Sequence, residues 1–375
     1  LFIMKFVINK FQIVNVLAKV QGLTGRRSNL AITENVLIQS ASEGIRLTVT
    51  DLETGFEGFY PAAVEKEGAI AVSAKKLFEI IREFPSEDIL INEVENRWIE
   101  IGNDKVLYHI VGMNPDDFPE TPVISEVDFF SIDAAGLERM IDQATIISAS
   151  GDEKRAHING VYVERIHGEE NDCLRFVSTD GSRLNCVNHL FSPETRIPVG
   201  EGVLVPKKGL NEIAKFLDIE GDVQIGIKES NFILKKEKET IIIRMLEGEF
   251  PKYEDILKKG EDHLIGIDKL QFSKMLKRMS ILATDNYKGA VFTFKDNNLS
   301  VTATNPDYGE SKEDMEIEFS GESIEAAFNP KFFSDALSVI NEENVIVNIV
   351  DGSRPCIVEA AEDKNFISVI MPMRI

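Results

Sequence analysis

Three times along this 375-residue chain an isoleucine is followed by one and the same set of apolar positions. Ile8 leads to Ile13, Val16, Leu17, Val20 and Leu23. Ile132 leads to Leu137, Met140, Ile141, Ala144 and Ile147, and Ile267 to Phe272, Met275, Leu276, Met279 and Leu282. Steps of three and four predict a helix with one buried stripe, entered from the end of a strand. A second shared block follows. Val49-Thr50-Asp51, Ser178-Thr179-Asp180 and Ala303-Thr304-Asn305 each close an alternating run, namely Ile45/Leu47/Val49, Leu174/Phe176 and Leu299/Val301. Alternation of period two predicts strands, and Thr-Asp or Thr-Asn at their ends is turn chemistry.

A third block completes the repeat. Strands ending at Val72, Val205 and Phe328 lead into a second amphipathic helix. Its apolar positions are Leu77, Ile80, Ile81 and Phe84 in the first copy; Leu210, Ile213, Phe216 and Leu217 in the second; and Phe332, Phe333, Ala336, Leu337 and Ile340 in the third. Each is followed by a strand, at Ile89-Leu90-Ile91, Val223-Gln224-Ile225 and Val345-Ile346-Val347. A repeat of this length is a domain and not a solenoid unit. The predicted fold is therefore α+β, with three tandem domains over residues 4–123, 128–255 and 263–375, each having two helices on antiparallel sheet. Asn114-Pro115-Asp116-Asp117-Phe118-Pro119 and Gly248-Glu249-Phe250-Pro251-Lys252-Tyr253 read as the linkers between them. Leu1-Phe2-Ile3 precede Met4 and stay outside the fold reading.

Charge gives the helices a direction. The chain carries −22 overall, which by itself argues against a polyanionic partner. The helical stretches 10–21, 75–84, 134–148, 207–217, 269–282 and 331–340 nevertheless hold 14 Lys and Arg against 6 Asp and Glu, whereas the whole chain holds 41 against 63. Lys and Arg favour any solvated helix face, but such a face usually mixes signs for i,i+4 pairing. In the third copy Lys274, Lys277 and Arg278 fall off the apolar stripe. Domains of this kind joined edge to edge, two chains to a closed ring, would turn basic helices inward and acidic sheet outward. Such a hole attracts a threaded polyanion through its backbone without reading its sequence.

Other chemistry is sparse. Three cysteines without CxxC spacing fit reduced, buried residues of a cytoplasmic protein. Five scattered histidines make no metal motif, and the expected cofactors are none. There is no membrane-spanning run, no signal-peptide pattern and no Walker, GxSxG or HExxH motif.

With these motifs in hand, the chain from Met4 to Ile375 resembles the bacterial sliding clamp, the β subunit of the replicative DNA polymerase III. The most specific matches are Thr179-Asp180-Gly181-Ser182-Arg183-Leu184, Gly248-Glu249-Phe250-Pro251-Lys252-Tyr253 and the closing Met371-Pro372-Met373-Arg374-Ile375. Thr50-Asp51-Leu52-Glu53 and Ile158-Asn159-Gly160-Val161 match as well. The resemblance implies a head-to-tail homodimeric ring of six domains that encircles duplex DNA, is opened by an ATP-driven clamp loader, and tethers replicative and repair polymerases. Partners would dock a short segment of Gln and large apolar residues. The matching pocket positions are Arg155, Ile158, Thr179, Gly181, Arg183, Leu184, Pro251 and Ile256 of the second domain, with Asn329, Phe332, Val369, Met371, Pro372, Met373 and Arg374 of the third. Read without the resemblance, Met371 to Met373 are a terminal strand that completes a sheet.

Arg27 matches a DNA-contacting arginine, and Lys75, Lys76, Arg82, Lys207, Lys208, Lys274, Lys277 and Arg278 are the other residues expected to face DNA. Ala156-His157 stands where some members carry an aromatic pair, which weakens stacking on a DNA end. The dimer interface would bring Tyr108 of one chain against Ile281 and Leu282 of the other. Ile281 sits among basic positions, off the core stripe, which independently suggests an interface. The resemblance implies a processivity subunit and no active site of its own. Two rival readings are a monomeric three-repeat peptide scaffold and a metal-dependent hydrolase using Asp51 and Asp180.

Overall fold

A computed structural model describes residues 4–24, 30–122, 125–147, 155–168, 171–200, 202–218, 220–259, 263–284 and 287–374. Arg27, Leu1 to Ile3 and Ile375 lie outside these described residues. The helices are α1 (Lys10–Val20), α2 (Ala74–Glu83), α3 (Ala134–Thr145), the single turn α4 (Ala156–Asn159), α5 (Lys207–Ala214), α6 (Lys269–Met279) and α7 (Pro330–Ser338). All six expected helices are present, in repeat order.

The repeated isoleucine has a clear structural role. Ile8, Ile132 and Ile267 are buried at the ends of strands Lys5–Asn9, Phe129–Asp133 and Leu264–Asp268. The next residue then caps the helix. Asn9 Oδ1 accepts the amides of Phe11 and Gln12 at 3.0 and 3.4 Å. Asp133 accepts that of Gly136 at 2.6 Å, and Asp268 that of Gln271 at 2.7 Å. Such a cap is worth about 1 kcal/mol. The stripes that follow are buried throughout, with Leu282 alone half-exposed among the fifteen positions.

The six expected α-helices all end one to three residues before the predicted stretches do. The stretch 207–217 is helical only to Ala214, but amides of Lys215, Phe216 and Leu217 bond three residues back, so both apolar side chains still reach the core. The stretch 269–282 closes with a tighter 3-10 turn, Ser280–Leu282.

The chain packs as two compact units, Leu1–Leu137 with Lys208–Met245, and Glu138–Lys207 with Leu246–Ile375. The second repeat contributes to both. In the first unit the strand after each second helix returns beside the opening strand, with Ile8 opposite Ile89 and Ile132 opposite Val223. The second unit repeats the arrangement with Ile267 opposite Val345.

Each unit also contains one junction between repeats, and both junctions are continuous sheet. In the first unit Thr54–Pro61 pairs antiparallel with Glu239–Arg244, Phe56 facing Ile241. In the second Arg183–Leu190 pairs antiparallel with Phe366–Ile370, Leu184 facing Val369. Edge-to-edge joining of the repeats is thus a property of each unit. The two segments read as linkers are packed, not free. Phe118 is buried against Ile32 and Ala71, and Phe250 stacks on Tyr162 at 5.0 Å while Tyr253 is buried.

Candidate functional site

The site begins at a turn that the chain builds twice. In the first unit Thr50 donates its hydroxyl to the Thr54 carbonyl at 3.2 Å and accepts the Leu52 amide at 3.0 Å. Asp51 accepts the amides of Glu53 and Thr54 at 3.1 and 2.7 Å. In the second unit Thr179 bonds the Arg183 carbonyl and the Gly181 amide, and Asp180 the amides of Ser182 and Arg183, in the same pattern. The residue after Asp has positive φ in both, 76° at Leu52 and 89° at Gly181, and Gly181 adopts it without a Cβ penalty. Asp51 and Asp180 are therefore turn residues, held by backbone amides. Among the described residues no cluster of three His, Cys, Asp or Glu side chains is placed to hold a metal.

The copies differ one step later. Where the first has Thr54, the second has Arg183, which is 6 % exposed and pairs with Asp180 at 2.9 Å and Asp335 at 2.7 Å. Its guanidinium lies over the Phe332 ring, 4.4 Å from the centroid. Phe332 and Asp335 belong to α7, which Asn329 caps through the Lys331 amide at 3.0 Å. The closing segment runs alongside. Met371 donates its amide to Ser182 O at 3.0 Å, and Met373 to Ala327 O at 2.7 Å. The side chains of both methionines remain 39 % exposed. Met371 to Met373 thus lie past the strand Phe366–Ile370, tied by main-chain bonds to two neighbouring segments, and display two pliable side chains.

Together these parts border a cavity of about 1290 Å³. One side is formed by Gly181, Ser182, Arg183, Asn329, Phe332, Met371, Pro372 and Met373. Seven of the expected pocket residues converge here, and Ser182 was not among them. The rest of the lining lies outside the expected pocket and includes Ser273, Lys277 and Ser280 of α6 and its following turn, with Ala283, Thr284 and Lys288; Lys277 was expected to face DNA.

The other expected pocket residues have different places. Leu184 and Val369 are buried in a cluster with Val177, Cys186, Tyr253 and Ile357, against which Ile256 packs. Ile158 and Thr179 are buried as well, while Arg155, Pro251 and Arg374 are exposed. His157 meets the Phe250 ring edge-on at 6.5 Å.

The basic residues expected to face DNA divide into two kinds. Lys75, Lys76 and Arg82 are exposed, with short-range pairs Lys76–Glu79 and Arg82–Glu83, both at 2.9 Å. Lys76 holds the Glu79 carboxyl below the usual range. Lys274 and Lys277 stand on α6, and Arg278 there pairs with Glu313. Lys208 is partly exposed and pairs with the buried carboxylate of Asp51. Lys207 is a correction. It is 6 % exposed, and its ammonium donates to the carbonyls of Ile158 at 2.7 Å and Thr179 at 3.5 Å. Burial pushes its pKa down to about 8, against the pull of Asp180 and with the push of Arg183. It cannot face DNA, because it pins together two backbone segments behind the pocket.

Tyr108 is 40 % exposed and Ile281 75 % exposed. The three cysteines are free and buried, and burial pushes the Cys186 thiol up to about 12. No helix among the described residues is long and apolar enough to cross a membrane.

Known proteins resemble this chain over its whole length. Models of the N-terminal, central and C-terminal domains of the DNA polymerase III beta subunit match residues 4–122, 131–252 and 254–374. The beta sliding clamp of Pseudomonas aeruginosa is 30 % identical, over 99 % of this chain and 100 % of its own length. That of Escherichia coli K12 is 31 % identical, with the same coverage of both chains. A crystal structure of the P. aeruginosa sliding clamp bound to griselimycin superposes with a TM-score of 0.91 at 29 % identity, over 99 % of this chain and 100 % of that one. A Bartonella birtlesii clamp bound to the same compound gives 0.92 at 25 %, over all of both chains.

Proposed function

The chain belongs to the DNA polymerase III β subunit family, and on that premise we propose that two copies close head to tail into a ring around duplex DNA. The protein is a sliding clamp, a non-catalytic processivity factor that serves DNA, polymerases and other peptide-bearing partners. The observation that carries the ring reading is the junction register. Both junctions are antiparallel sheet with the same turn at their edge, so the same join can recur between chains. Two strands are open to make it. Among the described residues, Leu107–Met113 has a partner along one side and on the other only Ala71 and Val72, opposite Met113 and Gly112. Gly309–Glu316 pairs with Asn298–Asn305. Exposed Leu107, Tyr108 and Val111 on the one strand, and Ile281 with half-exposed Leu282 near the other, supply the apolar surface of such a seam.

The cavity bordered by Arg183, Phe332, Met371 and Met373 is the docking site for the partners' Gln/apolar segment in this reading, and Lys75, Lys76, Arg82, Lys274 and Lys277 meet the phosphate backbone. Domain limits near 4–123, 128–255 and 263–375, a clamp loader that opens the ring, and residence in the cytoplasm belong to the same proposal. Primer extension on a singly primed circle tests it, using the host's polymerase and clamp loader with ATP. The clamp lengthens the products of a single polymerase encounter. Product length independent of the clamp would overturn the reading.

A further inference from the structure

Asn305 stands in the third repeat where the first two have Asp51 and Asp180. One side-chain oxygen does the same work in all three. Asp51 and Asp180 accept amides of their own turns, and Asn305 Oδ1 accepts the Asp307 amide at 2.9 Å. The second atom differs. The other oxygen of Asp51 meets Lys208, and that of Asp180 meets Arg183. Asn305 has a nitrogen there, which donates to the Leu282 carbonyl at 2.7 Å and lies 3.5 Å from the Thr284 hydroxyl. An ionised carboxylate only accepts and could not make that bond. Asn305 is 1 % exposed, so loss of the bond would leave a buried polar group unpaired.

The bond joins two parts of the proposed seam. Leu282 closes the 3-10 turn Ser280–Leu282, which follows α6 and carries the exposed Ile281. Asn305 ends the strand Asn298–Asn305 and pairs opposite Gly309, the first residue of the edge strand Gly309–Glu316. Leu23 and Ile147 hold the place of Leu282 in the other repeats and are fully buried, whereas Leu282 is half-exposed. The repeat that shows an apolar helix end to solvent is thus the one with a donor at this turn.

We propose that Asn305 is a positioning residue of the seam between two copies of this chain: its amide nitrogen ties the turn bearing Ile281 and Leu282 to the edge strand, so that both meet the partner's open strand together. This deepens the head-to-tail ring proposed above and rests on it. Buried beneath the turn, Asn305 acts through Leu282 and not by touching the partner.

Sedimentation equilibrium of the full-length chain tests this with Asn305→Asp and Asn305→Ser. The Asp variant keeps the acceptor for Asp307 and, while ionised, lacks the donor. Its dimer dissociation constant at about pH 8 should rise more than about tenfold, the effect of setting an acceptor against a buried carbonyl. A carboxyl held against a carbonyl keeps its proton to higher pH than a free one, and the protonated form donates again. The defect therefore shrinks as pH falls toward about 5.5. Asp307, Glu310, Glu313, Lys277 and Arg278 are charges of the elements packed there, and the native protein measured at each pH accounts for their titration. The Ser side chain is too short to reach Leu282, so that variant weakens the dimer with no recovery in acid, and it decides alone should the Asp variant not fold. A native dimer constant in either variant would overturn the inference, as would a loss in Asn305→Asp that is the same at every pH. A native chain that is monomeric throughout would instead sink the ring reading itself.

Discussion

Arg183 stands where the first repeat has Thr54, at the end of an otherwise identical turn. One substitution between copies thus converts a structural turn into a site. Its guanidinium joins Asp180, Asp335 and the Phe332 face in a single fork, a geometry that an ammonium cannot reproduce. Arg183→Lys should cost about 1–2 kcal/mol, because Asp180 and Asp335 lose partners in a mostly buried place. Urea denaturation measures the loss, and peptide affinity falls with it. Lys207 gives a pH signature. The folded protein releases its proton near pH 8, whereas the unfolded chain holds it to about 10.5. Between those values the unfolded state binds more protons, so native stability relative to Lys207→Met rises with pH. A stability difference that stays flat from pH 7.5 to 10 would contradict this assignment. The Thr-Asp turns were legible in the sequence because their chemistry is local. The buried place of Lys207 was not, since it depends on carbonyls of Ile158 and Thr179 far away in the chain. On the helix it reads as one more solvated lysine.

At the scale of elements, helix spacing was the readable signal. The stripes after Ile8, Ile132 and Ile267 are the cores of α1, α3 and α6, and the caps Asn9, Asp133 and Asp268 follow the isoleucines directly. The α6 side of the cavity was missed because Ser273, Ser280 and Thr284 carry no apolar or charge pattern. The closing segment was ambiguous for a different reason: main-chain bonds to Ser182 and Ala327 anchor it past the end of the last strand, while its side chains face outward. Ending the chain at Ile370 removes two such bonds and both methionines. Binding of a Gln/apolar peptide should then fall by more than tenfold, about 1.4 kcal/mol or more, with the dimer preserved in sedimentation; unchanged affinity would remove Met371 to Met373 from the pocket. Ile281→Asp acts on the other surface. It places a charge on the proposed seam, and sedimentation should find monomers at concentrations where the native protein is dimeric. A variant that remains dimeric would move the seam elsewhere.

For the whole molecule, net charge alone misleads. At −22 the chain looks unfit for DNA, yet Lys75, Lys76 and Arg82 are exposed on α2, and α6 presents Lys274, Lys277 and Arg278. A ring needs no net positive charge if its basic helices face one way and topology, not affinity, retains it. Assembly of two chains could not be read from periodicity, which specifies domains and is silent on how open strand edges are met. The account's central claim is therefore topological, and retention on DNA tests it most directly. The clamp is loaded onto a nicked circular duplex with the clamp loader and ATP, freed of loader at moderate salt, and followed by gel filtration before and after one restriction cut. The account predicts that it stays with the circle and is lost from the linear form. Equal retention on both would show ordinary surface binding and contradict the ring.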